Sequence, residues 1–237
     1  ERRDGRLYHR PSVGYRGGRL PLSRALVLFS GGADSTTALY WALNRGFDST
    51  ALSFDYPGRP TGEKKAALEI ANALGLPLLR AEIPFLTPAK DLPMDRLSKG
   101  LLPQSPAVGY VPMRNMVFYA TAGYYAEVYE IPTIIAGHTR DDAKTYSDAS
   151  PQFFDLIREV YRLTLRSSYV TDQKEVEIVL PLAGLSLRDQ TALGHRLGVP
   201  FDLTWSCWYD TPEPCGSCFA CRERLEAFKA FRLSQAG

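Results

Sequence analysis

One glycine-rich hexapeptide and four cysteines carry most of the chemistry legible in this chain. Ser30-Gly31-Gly32-Ala33-Asp34-Ser35 interrupts an apolar run that starts at Ala25, and an apolar pattern at helical spacing resumes beyond it. Two glycines let a backbone turn tightly and approach a ligand with no Cβ in the way. A helix that follows aims free N–H groups, worth about half a positive charge, back at the loop. Ser30 and Ser35 add hydroxyl donors. This set suits a polyphosphate, but Asp34 repels one unless a cation intervenes. The motif therefore implies Mg2+ held between Asp34 and phosphate oxygens. No lysine follows the glycines, which excludes a Walker loop, and the spacing differs from the dinucleotide fingerprint G-x-G-x-x-G.

Cys207, Cys215, Cys218 and Cys221 follow the spacing C-x7-C-x2-C-x2-C. Four thiolates on tight turns predict a closed tetrahedral zinc site, structural rather than catalytic because sulfur fills every position. An iron–sulfur cluster is the rival, since the last three cysteines share ferredoxin spacing. Disulfides fit less well. The first 24 residues hold seven arginines and no apolar core segment, so they do not read as a secretory signal. A cytoplasmic location, where thiols stay reduced, is the expectation.

Composition sets further bounds. At 237 residues, 45% apolar and 23% charged, the chain fits one large globular domain or a domain with a small appendage. No apolar run approaches membrane-spanning length. A net charge of +2 is low for a protein that grips nucleic acid. The arginine-rich segment 1–24 reads as a solvated extension, with a docking arm for a partner or second subunit as the alternative.

The elements that must position these residues alternate. Apolar or β-branched runs predict strands over 25–29, 50–55, 78–83, 132–137 and 176–181. Helical spacing predicts helices over 36–44, 63–74, 113–129, 151–164 and 187–197, with Gly75 and Gly198 as stops. The third helix is apolar nearly all round and is expected to be buried. The proline-rich stretch 84–112 reads as a long loop. Strand–helix alternation argues for an α/β fold: a mostly parallel five-stranded sheet covered on both faces, spanning 25–200, with a small cysteine-bearing segment and helix over 201–237. Ligands in such sheets sit beyond the carboxyl ends of the strands. The loops 30–35, 55–62 and 138–150 converge there.

The hexapeptide resembles the SGGxDS loop of the ATP-pyrophosphatase superfamily, whose fold is adenine nucleotide alpha hydrolase-like. Its members split ATP between the α- and β-phosphates to adenylate a substrate oxygen. The segments "TWSC" (204–207) and "PCGSCFACRERLEAF" (214–228) resemble the C-terminal signature of the 7-cyano-7-deazaguanine synthases. So do "VPMRN" (111–115), similar to that family's VPGRN helix start, "FDYPGR" (54–59) and "LPLAGLS" (180–186).

The resemblance implies a synthase that takes a 7-carboxy-7-deazaguanine, ATP and ammonia to a nitrile, with Mg2+ and structural zinc, as a homodimer. It implies an ATP site over Phe29, Ser30, Gly31, Gly32, Ala33, Asp34, Ser35, Thr36, Thr37, Ala38 and Leu39. Asp34 then holds Mg2+, and Arg114 screens charge on phosphate or carboxylate. Asp142, Tyr146 and Asp148, with Lys144 and Arg59, form the expected substrate set. Two departures stand at the acceptor end. Typical members read close to DYSGYPDCR where this chain has DAKTYSDAS, and Gly58-Arg59-Pro60-Thr61 replaces their Gln-Arg-His. An enzyme that stops at the amide, joining the heterocycle to an amine on a protein or other molecule in an anti-phage setting, is the alternative. A tRNA thiolase and a non-enzymatic zinc module fit less well.

Overall fold

A computed structural model describes residues 23–87, 111–166 and 175–235. Most of the arginine-rich extension and of the proline-rich loop lies outside the described residues. Five strands, β1 (Arg24–Leu28), β2 (Asp48–Asp55), β3 (Leu78–Glu82), β4 (Thr133–Ile135) and β5 (Glu177–Val179), form one sheet in the order β3-β2-β1-β4-β5. Every pairing is parallel. The helices are α1 (Ala33–Asn44), α2 (Thr61–Ala73), α3 (Arg114–Val128), α4 (Arg140–Thr145), α5 (Pro151–Thr164), α6 (Leu187–Leu197) and α7 (Phe219–Gln235).

The period-2 geometry of a strand explains the layers. On β1, Leu26 packs with residues of α3 and α5, while Ala25 and Val27 pack with residues of α1 and α2. Both faces are thus covered, as the continuous apolar character of β1 predicts. The chain leaves β1 toward β2 on one side and pairs β4 on the other, so the strand order reverses at β1. A crevice opens at such a reversal, beyond the strand ends.

Three elements differ from the sequence reading. The first helix begins at Ala33, three residues early, because Gly32 serves as its N-cap and its carbonyl accepts from Thr36 N at 3.0 Å and Thr36 Oγ1 at 2.7 Å. The stretch 138–150 is not an open loop. Thr139 caps α4 through a reciprocal pair with Asp142, and a 3-10 turn follows at Ser147–Ala149. Finally, α3 is not buried all round. Its inner side, Tyr119, Ala122 and Ala126, is in the core, whereas Tyr124 and Val128 are exposed.

Candidate active site

The phosphate-type loop leaves β1 at the crevice. Gly31 adopts φ +90, and a Cβ there would lie 2.5 Å from Ala67 N and 2.8 Å from the carbonyl of Glu63, so only glycine lets the loop pass under α2. Ser30 and Ser35 close the turn: their hydroxyls lie 3.0 Å apart, and Ser30 Oγ accepts from Gly32 N at 3.1 Å. First-turn amides of a helix have no intrahelical acceptor, so those of α1 remain available to an anion.

Two cavities meet at this loop. One, about 290 Å³, lies over the strand ends and is walled by Leu28, Phe29, Phe54, Phe118 and Tyr119. The other, about 410 Å³, runs toward the cysteine segment and is lined by Asp141, Asp148, Trp205, Trp208 and Glu223. Ser30, Asp34, Glu63, Arg114, Asp142 and Tyr146 line both. The structure therefore brings together loops 30–35, 55–62 and 138–150, as the strand–helix alternation implies.

Asp34 is the acid that the phosphate loop has to account for. Its Oδ1 is buried without a hydrogen-bond partner. Burial and the nearby Asp142 carboxylate push its pKa up to about 7, against the pull of Arg224. An orphaned carboxylate oxygen facing a second carboxylate fits a hard divalent cation. Asp34 would hold Mg2+ here, and that ion would neutralise phosphate charge when bound.

The side chains at positions 36–39 do not reach the cavities. Thr36, Thr37, Ala38 and Leu39 are fully buried, because their helix already runs into the core, and Thr37 Oγ1 is bonded to Ala33 O at 2.8 Å and to Gln190 Nε2 at 2.6 Å. Arg59 is engaged within the fold. It lines the first cavity but spends its guanidinium internally, donating to Ser30 O (2.7 Å), Phe54 O (2.8 Å), Ser53 Oγ (3.0 Å) and Asp55 (3.1 Å), with Glu63 at 3.5 Å. Lys144 lines neither cavity. It is exposed and paired with Asp141 at 2.9 Å.

Asp142 lines both cavities, although its Oδ2 accepts from Thr139 N (2.8 Å) and Thr139 Oγ1 (2.9 Å). Tyr146 stands half-buried beside it, and Asp148 lines the second cavity while its backbone carbonyl accepts from Asn115 at 2.8 Å. Arg114 opens α3 at the junction. Among the polar residues of the site not singled out from sequence are His138, Glu63, Glu223 and Arg224. A single His or Glu in an amphipathic segment carries no pattern of its own.

The four cysteine sulfurs lie within 4.8 Å of one another. Zn–S bonds of ~2.3 Å in a tetrahedron put sulfurs about 3.8 Å apart, so the set closes on zinc with small movements. Backbone amides turn toward the sulfurs: Cys218 N to Cys215 Sγ at 3.3 Å and Cys221 N to Cys218 Sγ at 3.4 Å. Such donors orient and stabilise thiolates in a metal site. The cluster is joined to the phosphate loop, since Trp205 N donates to Gly31 O at 3.0 Å and Trp205 Nε1 to Cys207 O at 2.9 Å. Among the described residues no helix is long and apolar enough to cross a membrane.

Comparison with known proteins places the chain. It is 40% identical over 219 residues to the 7-cyano-7-deazaguanine synthase of Thermosynechococcus vestitus, covering 89% of this chain and 93% of that one. The protein of the same name from Thermoplasma volcanium is 32% identical over 210 residues, with 86% of each covered. Among solved structures, the U34-tRNA thiolase NcsA of Methanococcus maripaludis is similar at 14% identity and a TM-score of 0.46, over 91% of this chain and 66% of that one. The family model described as queuosine biosynthesis protein QueC matches residues 24–232. From the first strand of the sheet through most of α7, the chain belongs to the QueC family.

Proposed function

We propose that this protein is an ATP-dependent carbon–nitrogen ligase that adenylates a 7-carboxy-7-deazaguanine-type carboxylate and passes it to ammonia, giving the nitrile. The observation that supports this reading is the pair of cavities meeting at Asp34. A reaction that joins two sizeable molecules at one phosphorus needs two pockets with a shared polar wall. The aromatic and aliphatic slot over the strand ends suits the flat base of ATP. The first-turn amides of α1 suit the β- and γ-phosphates. The second cavity, with Tyr146 and the carboxylates of Asp142 and Asp148, suits a guanine-like ring, whose N–H and amino groups are donors.

The chain's own residues then act by position and charge. Arg114, at the junction, offsets the negative charge where carboxylate and α-phosphate approach, a role that suits a guanidinium always protonated. Closure of both cavities around the acyl adenylate keeps water away from a mixed anhydride that would hydrolyse. A carboxylate cannot expel oxide, whereas the adenylate expels AMP. A second adenylation, at the amide oxygen, gives the same leaving group for nitrile formation.

The test is mass spectrometry of products from ATP, Mg2+, 7-carboxy-7-deazaguanine and ammonia. Nitrile with two AMP and two pyrophosphate per turnover is expected. Amide as the end product, or no turnover of the carboxylate, overturns the reading.

A further inference from the structure

His138 lies three residues beyond β4, immediately after Gly137 and before the Thr139 cap of α4, and it lines the first cavity beside Asp34, Ser35 and Arg114. Its backbone neighbour touches the phosphate loop directly: a Cβ on Gly137 would lie 2.6 Å from the carbonyl of Asp34 and 2.9 Å from Ser35 N. The imidazole is therefore carried by the segment after β4 that abuts the loop at Asp34 and Ser35. Its ring is seated against Tyr119 (centroids 6.0 Å) and Phe154 (5.1 Å), which fixes its plane. No hydrogen bond from the described residues engages its nitrogens.

The proposed reaction releases protons that some group must accept. When ammonia adds to the acyl adenylate, an N–H proton leaves as the C–O bond to AMP breaks. When the O-adenylated imine R–C(OAMP)=NH collapses, its remaining N–H proton leaves, AMP departs with the electron pair, and R–C≡N forms. The carboxylates nearby are poorly placed to serve. Asp34 faces the cation site, Asp142 accepts two bonds from Thr139, and Glu63 is paired with Arg59.

We propose that His138 is the general base of the amination and nitrile-forming steps, accepting the N–H proton at an imidazole nitrogen. This assignment rests on the functional reading above. The charged groups facing the ring are Asp142 from α4, Asp148 from the 3-10 turn and Arg114 from α3. Burial lowers its pKa, Arg114 adds to that, and the two carboxylates oppose it. The ring is thus neutral at neutral pH, the form that accepts a proton.

The experiment compares the wild-type chain with His138→Ala and His138→Gln in two assays. One is carboxylate-dependent exchange of labelled pyrophosphate into ATP, which reads adenylation alone. The other is amide and nitrile formation from ammonia. Exchange is expected to stay within about threefold of wild type, which also reports a folded site, while product formation falls about 10²–10⁴-fold, the usual worth of a positioned base. Added imidazole should restore part of the rate in His138→Ala. A variant that makes nitrile at the wild-type rate overturns the proposal, as does one that loses exchange in step with product. Absence of exchange in the wild type would instead sink the functional reading, and the role of His138 with it.

Discussion

The backbone N–H of Trp205 donates to the carbonyl of Gly31 at 3.0 Å, which ties the cysteine segment to the phosphate loop. The same tryptophan donates its indole N–H to Cys207 O, so one residue links the cysteine cluster to the glycine turn after β1. A metal at Cys207, Cys215, Cys218 and Cys221 would then stabilise more than its own subdomain. Removal by a chelator, or Cys218→Ser, is expected to lower Tm by about 10 °C or more, at roughly 2–4 °C per kcal/mol for a chain of this size. At temperatures where the protein stays folded, KM for ATP should also rise. Thermal unfolding and ATP titration on metal-free protein check both effects. An unchanged KM would show the segment to be a stabiliser only. Elemental analysis decides the metal, and a brown sample with visible absorbance would replace zinc by an iron–sulfur cluster.

Arg59 performs a related task from the other side of the loop. It is 6% exposed and binds the carbonyls of Ser30 and Phe54, the tips of two adjacent strands, while Asp55 and Glu63 balance its charge. Removing one partner of a buried ion pair leaves an uncompensated charge and costs about 3–5 kcal/mol. Arg59→Met should therefore destabilise by that order in denaturant unfolding. Arg59→Lys keeps the charge but loses the fork that reaches both carbonyls at once. It is expected to unfold close to wild type and to bind ATP more weakly. Equal ATP affinity in Arg59→Lys would remove Arg59 from the positioning of the loop.

Asp34 gives a pH signature. Its pKa is about 7 in the folded protein against 3.8 for the free side chain. The folded state therefore binds a proton that the unfolded chain has already lost between those values. By linkage, stability should fall as pH rises from about 4 to about 7 and then level off. In EDTA, wild type should lose a few kcal/mol over that window, and Asp34→Asn should lose much less. Mg2+ with ATP should flatten the wild-type slope, because a cation holds the carboxylate ionised. Parallel slopes in wild type and variant would contradict the burial of this acid as the cause.

The sequence disclosed the site where chemistry needs a pattern. Gly31 and Gly32 with Asp34, and four cysteines within fifteen residues, are constrained by backbone geometry and metal coordination, so their spacing is readable. The strands were readable for the same reason, since β1 has to be apolar on both faces. The contacts of Arg59 with Ser30, Phe54 and Glu63 left no mark in the sequence, because they join residues from two strand ends and a helix that only the fold brings together. The short helix α4 was missed because its nucleus is a capping pair, Thr139 with Asp142, rather than an apolar stripe. His138 left no trace in periodicity at all. What makes it notable is the company of Asp34 and Arg114, supplied by β4 passing the phosphate loop.

Met113 is the last test, and it separates strain from function. It occupies the N-cap of α3 at φ 59 and ψ 16, left-handed backbone that the family's VPGRN pattern fills with glycine. A side chain in that region costs roughly 1–2 kcal/mol, and the methionine recovers little by packing because it is 64% exposed. Met113→Gly relieves the strain, while the greater freedom of glycine in the unfolded chain takes back about 0.4–1 kcal/mol. A net gain of about 0.5–1 kcal/mol, or roughly 1–4 °C in Tm, is expected by thermal unfolding. Arg114 follows directly, so the same variant should leave ATP turnover unchanged if the left-handed turn itself, rather than the methionine side chain, aims that guanidinium. A drop in Tm would mean that Met113 packs against a partner in solution. A drop in activity at unchanged Tm would mean that its side chain belongs to the site.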